Sequence, residues 1–457
     1  MSNNVKTIMG ITAANVKTVN GIAAANVKTV MSETFELAVA QATNSIGTDL
    51  ASHGGSIPQA VNSISTNLAS HSGSERRAWG LANCYDPDTN QVIHVYGDAR
   101  NNNYSTALVV DSSGTVGSAV VIQSEGSGFH NAPVYNTTDD RIMIAYLISS
   151  STNKYAMVGG TVGTRTLTLN TSGRAIVEDG SGGAAQGDAT DICSYNPYSN
   201  VALLAFENGG ESGDPNYIAA CTIDTSDNSI TAGTSVEFVD TTAERYQMNY
   251  DEDIQKTVLV YYNATPKVAA RVVSLGGTGN RTITLGTEAT YHQTSFSGGG
   301  GSQKGNWSAY DTTNNVHHVF LFNDGGGSGF VINYFTVSGT TITWAAEAKE
   351  QAFQGNTTRA SSLVYVHNRN KLLGIGGEAD ISYHLYTFDG TDYTYDSTTG
   401  VVDIETSIDA SNTTYVHNNG MDGVDHSAFG KGHVFTYSSD ISGNGANVRM
   451  VGIEVGS

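Results

Sequence analysis

A tyrosine-led unit that recurs along most of the chain constrains the fold more than any other feature. The unit opens with Tyr followed by Asn or Asp, and its clear copies are Tyr85-Asp86, Tyr135-Asn136, Tyr195-Asn196, Tyr250-Asp251 and Tyr310-Asp311, with degenerate copies at Tyr365 and Tyr415. The seven tyrosines lie 50 to 60 residues apart. Recurrence on this scale indicates a repeat architecture in which each copy packs on its neighbours.

Each unit has the pattern of a four-stranded antiparallel sheet. A polar residue suited to a tight turn stands five residues after each of the first six tyrosines: Asn90, Asp140, Asn200, Gln255, Asn315 and Asn370. An apolar run follows each turn, which indicates a strand buried on both faces. Third strands are expected near Tyr104, Tyr155, Tyr217, Val268, Phe330, Tyr383 and Val448, and fourth strands at runs such as Ala119–Ile122 and Ala175–Val177.

The units together predict an all-β domain over residues 76–457, a seven-bladed β-propeller with four-stranded antiparallel blades. A pair of β-sandwiches is the alternative, but it does not account for seven recurrences of one motif. The seventh unit ends after its third strand, Val448–Val455. We therefore expect a segment just upstream of Trp79, or else the N-terminal repeat, to supply its outer strand.

The charge of the chain restricts its partners. Its 43 acidic residues against 22 Lys and Arg give a net charge of −21, which argues against binding to nucleic acid or to anionic membrane surfaces. The sequence contains no run of 18 apolar residues, so membrane insertion is not predicted. The three cysteines, Cys84, Cys193 and Cys221, have no metal-binding spacing and indicate no disulfide framework. Protein or glycan partners remain.

An 11-residue repeat fills residues 1–31, where Val5-Lys6-Thr7-Ile8 returns at Val16 and Val27. Its β-branched residues and glycines predict a short strand, a turn and a return. A helix with an 11-residue period and a disordered basic tail are the alternatives. Short strands of this kind need a partner, so the segment is expected to serve attachment or oligomerisation. The residues expected to do so are Val5, Ile8, Val16, Val19, Val27 and Val30.

Residues 32–75 contain a second repeat, with an offset of 18 residues between Gln41–His53 and Gln59–His71. Apolar residues spaced by three and four, from Phe35 to Leu68, predict two short helices. These helices form either an oligomeric neck, with a trimer favoured, or a hairpin within one chain. His53 and His71 have no neighbouring ligand residue and are interpreted as polar surface rather than as a metal site.

The sequence contains no motif for a nucleophile elbow, a zinc protease or a phosphate loop. No catalytic residue, cofactor or metal is therefore expected. Asp251-Glu252-Asp253 is interpreted as solvated surface, and His317 and His318 in one strand face opposite sides and cannot bind one metal. Trp307, Trp344 and Tyr291 are candidates for stacking on a sugar if they are exposed, and core packing is the alternative for each.

The N-terminal units, such as Val16-Lys17-Thr18-Val19-Asn20-Gly21-Ile22, resemble those that open tail-associated and fibre proteins of marine and environmental bacteriophages. The resemblance covers about the first 30 residues. It implies a virion protein, made in the host cytoplasm, whose N-terminus attaches to other virion proteins and whose distal body meets a host-surface glycan or protein. The alternatives are a polysaccharide depolymerase and a capsid fibre or decoration protein with a structural role.

Overall fold

The computed structural model describes 23 segments of the chain. These are residues 7–8, 11–12, 18–19, 22–23, 60–70, 79–98, 104–111, 115–124, 131–148, 154–179, 192–207, 215–240, 243–263, 267–292, 308–323, 329–346, 350–354, 361–366, 369–376, 381–395, 402–405, 432–440 and 446–455. The chain divides into two compact units, Met1–Ser45 and Ile46–Ser457.

The first unit contains two small antiparallel hairpins. Strand β1 (Thr7–Ile8) pairs with β2 (Ile11–Thr12), and β3 (Thr18–Val19) pairs with β4 (Ile22–Ala23). The hairpins occupy equivalent positions of the first two 11-residue repeats, which confirms the strand, turn and return predicted there. Ile8 and Val19 lie in these strands. The other four predicted attachment residues, Val5, Val16, Val27 and Val30, lie outside the described residues.

The second unit begins with β5 (Ala60–Ser70) and continues as a series of antiparallel sheets. The first sheet contains β6 (Trp79–Asp86), β7 (Gln91–Asp98), β8 (Tyr104–Asp111) and β9 (Val120–Val121). The second contains β10 (Asn131–Asn136), β11 (Arg141–Leu147), β12 (Lys154–Gly163), β13 (Thr166–Leu169) and β14 (Ala175–Asp179). The third contains β15 (Ile192–Asn196), β16 (Val201–Glu207), β17 (Asn216–Ile223), β18 (Ile230–Ala232) and β19 (Val236–Val239).

Three further sheets repeat this order. The fourth contains β20 (Ala243–Asp251), β21 (Lys256–Asn263), β22 (Lys267–Gly276), β23 (Thr282–Leu285) and β24 (Ala289–His292). The fifth contains β25 (Ser308–Asp311), β26 (Val316–Asn323), β27 (Gly329–Ser338), β28 (Thr341–Trp344) and β29 (Glu350–Gln354). The sixth contains β30 (Ser361–Val366), β31 (Lys371–Gly376), β32 (Ile381–Phe388), β33 (Tyr393–Tyr395) and β34 (Val402–Glu405). Every third strand begins within three residues of its predicted start.

The outermost position of sheets two to six differs from the expected single strand. In the second sheet, β13 and β14 both pair with β12, at its C-terminal and N-terminal ends respectively. Between them the chain turns at Asn170, whose side chain accepts a hydrogen bond of 3.0 Å from the N–H of Gly173. The third strand of this sheet has ten residues. It is long enough for two short strands to share its outer edge.

The sheets pack face to face through their second and third strands. All seven residues of β16 are buried, which confirms the prediction of strands that are apolar on both faces. Ile93 and Ile144 belong to one apolar cluster between the first two sheets, and Leu203 and Leu259 belong to another between the third and fourth. The first strand of each sheet contacts the first strand of the next, from β6 through β30. Such a series of antiparallel sheets is the arrangement of β-propeller blades.

The seventh sheet has the order β35 (Gly432–Asp440), β36 (Ala446–Val455) and β5. It therefore takes a strand from upstream of Trp79, as predicted, and β5 pairs with β36 from Ala60 to Ser70. The first strand expected at Tyr415 lies outside the described residues. Among the described residues no helix is long and apolar enough to cross a membrane.

The second helix predicted for the neck is wrong, because Ala60–Ser70 is a strand. Two register shifts interrupt its pairing with β36. Each such bulge adds one residue to a strand, so apolar residues spaced by three or four remain compatible with a sheet. An isolated helix rich in Ser, Thr and Asn is only weakly stable. As a strand, the same segment pairs with the edge of β36 through a row of backbone hydrogen bonds. The first predicted neck helix lies outside the described residues, as do His53 and His71.

Candidate binding face at the first turns

The turn between the first and second strands of each sheet explains the Tyr-Asx motif. In the first sheet, Oδ1 of Asp86 accepts hydrogen bonds of 2.9 Å from the N–H of Asp88 and 3.2 Å from that of Thr89. The equivalent side chains of Asn136, Asp251 and Asp311 accept two such bonds in their own turns, and Asn196 accepts one of 2.9 Å from the N–H of Ser199. The last turn residue has a φ between 49° and 60° in all six described copies. Asn and Asp tolerate that left-handed conformation, which accounts for the polar residue five positions after the tyrosine.

The tyrosines at the start of the motif join neighbouring sheets. The hydroxyl of Tyr195 lies 3.0 Å from Oδ1 of Asn200 in its own turn and 2.5 Å from Oγ1 of Thr138 in the turn of the preceding sheet. The hydroxyl of Tyr365 repeats this pattern with Asn370 at 3.1 Å and Thr313 at 2.7 Å. We number the positions of each turn from its tyrosine, so that Asn200 is at position five and Thr138 at position three. Each hydroxyl therefore binds the residue at position five of its own turn and the residue at position three of the turn in the preceding sheet.

The first residue of the second strand forms another link between sheets. The side chain of Gln91 donates to the carbonyl of Gly163 at 2.9 Å, that of Arg141 to Thr225 at 3.1 Å, and that of Lys256 to Gly339 at 3.3 Å. Each acceptor lies in the hairpin between the third and fourth strands of the following sheet. The first turns and these outer hairpins thus lie at the same side of the sheets. We refer to them as the turn face.

His317 and His318 project to opposite sides of β26, as predicted. Nε2 of His317 lies 3.1 Å from Oδ2 of Asp251 in the preceding sheet. Nδ1 of His318 lies 2.7 Å from the hydroxyl of Tyr393 in the following sheet, and its Nε2 lies 3.3 Å from Oδ2 of Asp311. Burial lowers the pKa of both imidazoles, although the facing carboxylates partly oppose it. Both rings are fully buried, and their contacts with Asp251 and Tyr393 link the fifth sheet to the fourth and to the sixth.

The boundary between the third and fourth sheets departs from the repeat. Position three of the third turn is Tyr198, where the other five turns have Asp88, Thr138, Asp253, Thr313 and Asn368, and position five of the fourth turn is Gln255. The hydroxyl of Tyr250 makes no hydrogen bond to another described residue. Tyr250 is half-buried, whereas the other five described tyrosines at this position are buried.

Tyr198 is the most exposed large apolar side chain among the described residues, with 66% of its surface accessible. Tyr198 occupies position three of the turn before Tyr250, the position that the hydroxyls of Tyr195 and Tyr365 reach in their own preceding turns. Burial raises the pKa of Tyr250, and Glu252, Asp251 and Tyr198 add to that rise. Two phenols and the exposed carboxylate of Glu252 are therefore neighbours on the turn face.

The three residues predicted to stack on a sugar have different positions. Tyr291 and Trp344 contact each other with ring centroids 5.3 Å apart, between the fourth and fifth sheets. Tyr291 is 7% exposed, and the indole N–H of the half-buried Trp344 donates to the carbonyl of Ala289 at 3.3 Å. Trp307 lies outside the described residues. The structure thus brings two of the three together in an apolar cluster, and their role in stacking stays a prediction.

Sequence reasoning named Tyr250 only as one of the seven repeat tyrosines and did not select Tyr198 or Tyr250 as a site residue. The signal was present in the repeat itself, because Tyr198 and Gln255 replace the residue types found at the same positions of other turns. In the acidic run Asp251-Glu252-Asp253, the first carboxylate is buried and the other two are exposed. Within the described segments, no group of three His, Cys, Asp or Glu side chains is placed to hold a metal.

Comparison with known proteins finds similarity to solved structures at low sequence identity. No known protein-family profile and no curated protein matches the sequence. A putative 6-phosphogluconolactonase from Bacteroides fragilis is similar at 10% identity, over 78% of this chain and 93% of that one, with a TM-score of 0.47. The β-propeller domain of the trilobed protease from Pyrococcus furiosus, described as having an open velcro topology, is similar at 8% identity over 82% and 95%, with a TM-score of 0.42.

A puromycin-hydrolysing peptidase from Mycobacterium tuberculosis is similar at 12% identity over 84% of this chain, with a TM-score of 0.44. The match spans 54% of the length of that peptidase. The class that the geometry of this chain defines is an all-β protein of propeller-like antiparallel sheets. Neighbouring sheets are joined at the turn face by tyrosine hydroxyls and, between the fourth and fifth sheets, by the buried pair His317 and Asp251.

Proposed function

We propose that this chain is a recognition protein of a bacteriophage virion, a tail fibre or host receptor-binding protein, built on a seven-bladed β-propeller. The described second unit has seven sheets with more than two strands. The contact between first strands passes from β6 to β30, and β35 contacts both β30 and β6. A series that returns to its starting strand supports a closed ring, and the pairing of β5 with β36 supports its closure.

The observation that supports a recognition function is the contrast between buried and exposed side chains at the turn face. The groups that resemble catalytic residues, such as His318 and Asp311, are buried and bonded to one another. The residue that breaks the repeat, Tyr198, is instead exposed. Exposed tyrosines offer a rigid amphipathic surface that binds ligands at low entropic cost, which is the property a recognition surface requires.

Virion placement draws on the N-terminal repeats. Hairpins of two-residue strands are too small to be stable alone and need a partner surface. Other virion proteins are the proposed partners of this segment. The protein is proposed to be a homo-oligomer, with a trimer favoured, and the propeller to meet a host-surface glycan or protein.

Two experiments test this proposal. Gold-conjugated antibody against the chain should label the tails of purified virions, and the purified full chain should compete with phage adsorption to host cells. Label on the capsid alone, without competition, would favour a structural decoration protein. Release of reducing sugar from purified host envelope would favour a depolymerase. Unlabelled virions would overturn the proposal.

A further inference from the structure

We propose that the boundary between the third and fourth sheets is a glycan-binding site that takes a neutral or amino-bearing pyranose and rejects an acidic one. We call the set Tyr198, Tyr250 and Glu252 the tyrosine–carboxylate cluster. The proposal rests on the recognition function above and assigns to it a place on the molecule and a ligand class.

The other turns serve as internal controls for this site. Where the repeat is kept, the tyrosine hydroxyl is fixed by two neighbours, as in the bonds of Tyr195 to Asn200 and Thr138. At the boundary between the third and fourth sheets both partner positions are replaced, by Tyr198 and Gln255, and the half-buried Tyr250 has no hydrogen bond from its hydroxyl to another described residue. A repeat that gives up a stabilising bond at one position has a local cost, and such departures mark functional positions.

The geometry of Tyr198 suits stacking. Pro197 precedes it and restricts the backbone of the turn. The carbonyl of Ser199 accepts a hydrogen bond of 3.0 Å from Nδ2 of Asn280 in the following sheet, which fixes the other side. An exposed phenol on a turn held at both ends presents its ring to the apolar face of a sugar without a large loss of entropy.

The charge of the cluster determines the ligand class. Glu252 is exposed and provides a carboxylate that accepts hydrogen bonds from sugar hydroxyls, and the exposed Asp253 adds a second negative charge to the same turn. The nearest cation along the chain, Lys256, directs its ammonium to the carbonyl of Gly339. Arg281 directs its guanidinium to Oγ1 of Thr222. Both cations keep their charge, but the three carboxylates of this turn, Asp251, Glu252 and Asp253, outnumber them. The net local charge is therefore negative, so it repels a uronate and attracts an ammonium group.

Saturation-transfer NMR on the full chain measures both binding and charge preference. The probes are the methyl glycosides of glucose, galactose and mannose, the uronate of each, and methyl glucosaminide. A hexose and its uronate differ in charge at one carbon and form a matched pair. We expect at least one hexose to bind, its uronate to bind at least about fivefold more weakly at low salt, and 0.5 M NaCl to narrow that ratio.

Three variants locate the site. Tyr198→Ala should weaken hexose binding by about fivefold or more, and Tyr250→Phe by about two- to fivefold. Glu252→Gln should bring the affinities for a hexose and for its uronate closer together. A structural defect would weaken both affinities and leave their ratio unchanged. Glu237→Gln, an exposed acid in β19, is the matched charge control, and Ile176→Ala is the control for an exposed apolar side chain. Both controls should bind as the unaltered chain does.

The outcomes separate this site from the wider function. If the unaltered chain competes with phage adsorption but binds uronates best, or if Tyr198→Ala leaves binding unchanged, the site is overturned and recognition stands. If no glycoside binds, the site is overturned as well. Failure to compete with adsorption, despite binding of hexoses at the cluster, would instead overturn the receptor function and leave a glycan site.

Discussion

The Nε2 atom of His317 lies 3.1 Å from Oδ2 of Asp251, across the boundary between the fourth and fifth sheets. The other oxygen of Asp251 accepts from the N–H groups of Asp253 and Ile254 within its own turn. One buried carboxylate therefore closes a turn and joins two sheets. The same residue type at the same point of the repeat does both tasks, which explains why the Tyr-Asx pair recurs.

We expect Asp251→Ala to lower the free energy of unfolding by about 3 kcal/mol, because it leaves His317 and two backbone N–H groups without an acceptor. Asp251→Asn should cost less, since Asn136 and Asn196 close the equivalent turns. Urea denaturation followed by far-UV circular dichroism measures both. Equal losses for the two variants would show that the turn bonds of Asp251 contribute nothing.

The buried histidines predict that acid destabilises the fold. Burial lowers the pKa of His94 to about 3, and burial lowers the pKa values of His317 and His318. The unfolded chain binds protons below about pH 6.5 that the folded chain does not bind, so the free energy of unfolding falls as pH drops from about 6.5 towards 3. Each proton contributes about 1.4 kcal/mol per pH unit in that window.

The variant His94→Gln tests this assignment. It should reduce the slope of the free energy of unfolding against pH, between pH 6 and 4.5, by about one proton. Denaturant titrations at several pH values measure the slope, and the unaltered chain at the same pH values is the control. An unchanged slope would mean that His94 is protonated alike in both states.

Removing a tyrosine hydroxyl should lower the free energy of unfolding only at turns where both hydrogen-bond partners of the repeat are present. Tyr195→Phe loses the bonds to Asn200 and Thr138 and should lower the free energy of unfolding by about 1 to 2 kcal/mol. Tyr250→Phe removes a hydroxyl with no described partner and should change stability by less than about 0.5 kcal/mol. Urea midpoints compare the pair directly. A Tyr250→Phe variant as unstable as Tyr195→Phe would contradict the structural account of the boundary between the third and fourth sheets.

The sequence predicted the sheet pattern well because strand pairing and turns are local. The tyrosine motif, the left-handed residue five positions later and the starts of the third strands all follow from residues within one unit. Their chemistry was readable without knowledge of the neighbours. The divided outer strands were not predicted, since each depends on the free length of the third strand beside it.

Long-range pairing was harder to read from the sequence. Ala60–Ser70 has the apolar spacing of a helix, but its state is decided by β36, almost 400 residues later in the chain. The inter-sheet bonds of His317 and Tyr195 were equally invisible, because their partners lie about 60 residues earlier. The structure shows which residues of two neighbouring turns meet at each boundary between sheets. The candidate site was recognised by comparing these residues at the boundary between the third and fourth sheets with those at the other boundaries.

A designed disulfide tests the pairing of β5 with β36. Ser65 is the register partner of Val451, so the double variant Ser65→Cys with Val451→Cys should form a cross-strand disulfide on mild oxidation. The pair Ser65→Cys with Arg449→Cys is the matched control, because Arg449 pairs with Asn67 instead. Peptide mapping by mass spectrometry detects the link. Linkage of the control pair at the same yield would contradict the assigned register.

An experimental density map of the full chain, by crystallography or electron cryo-microscopy, tests the central claim most directly. The account predicts seven antiparallel sheets around one axis, with Ala60–Ser70 as a strand beside Ala446–Val455 in the last of them. Two stacked sheets, a ring with another number of sheets, or a helix at Ala60–Ser70 would contradict it.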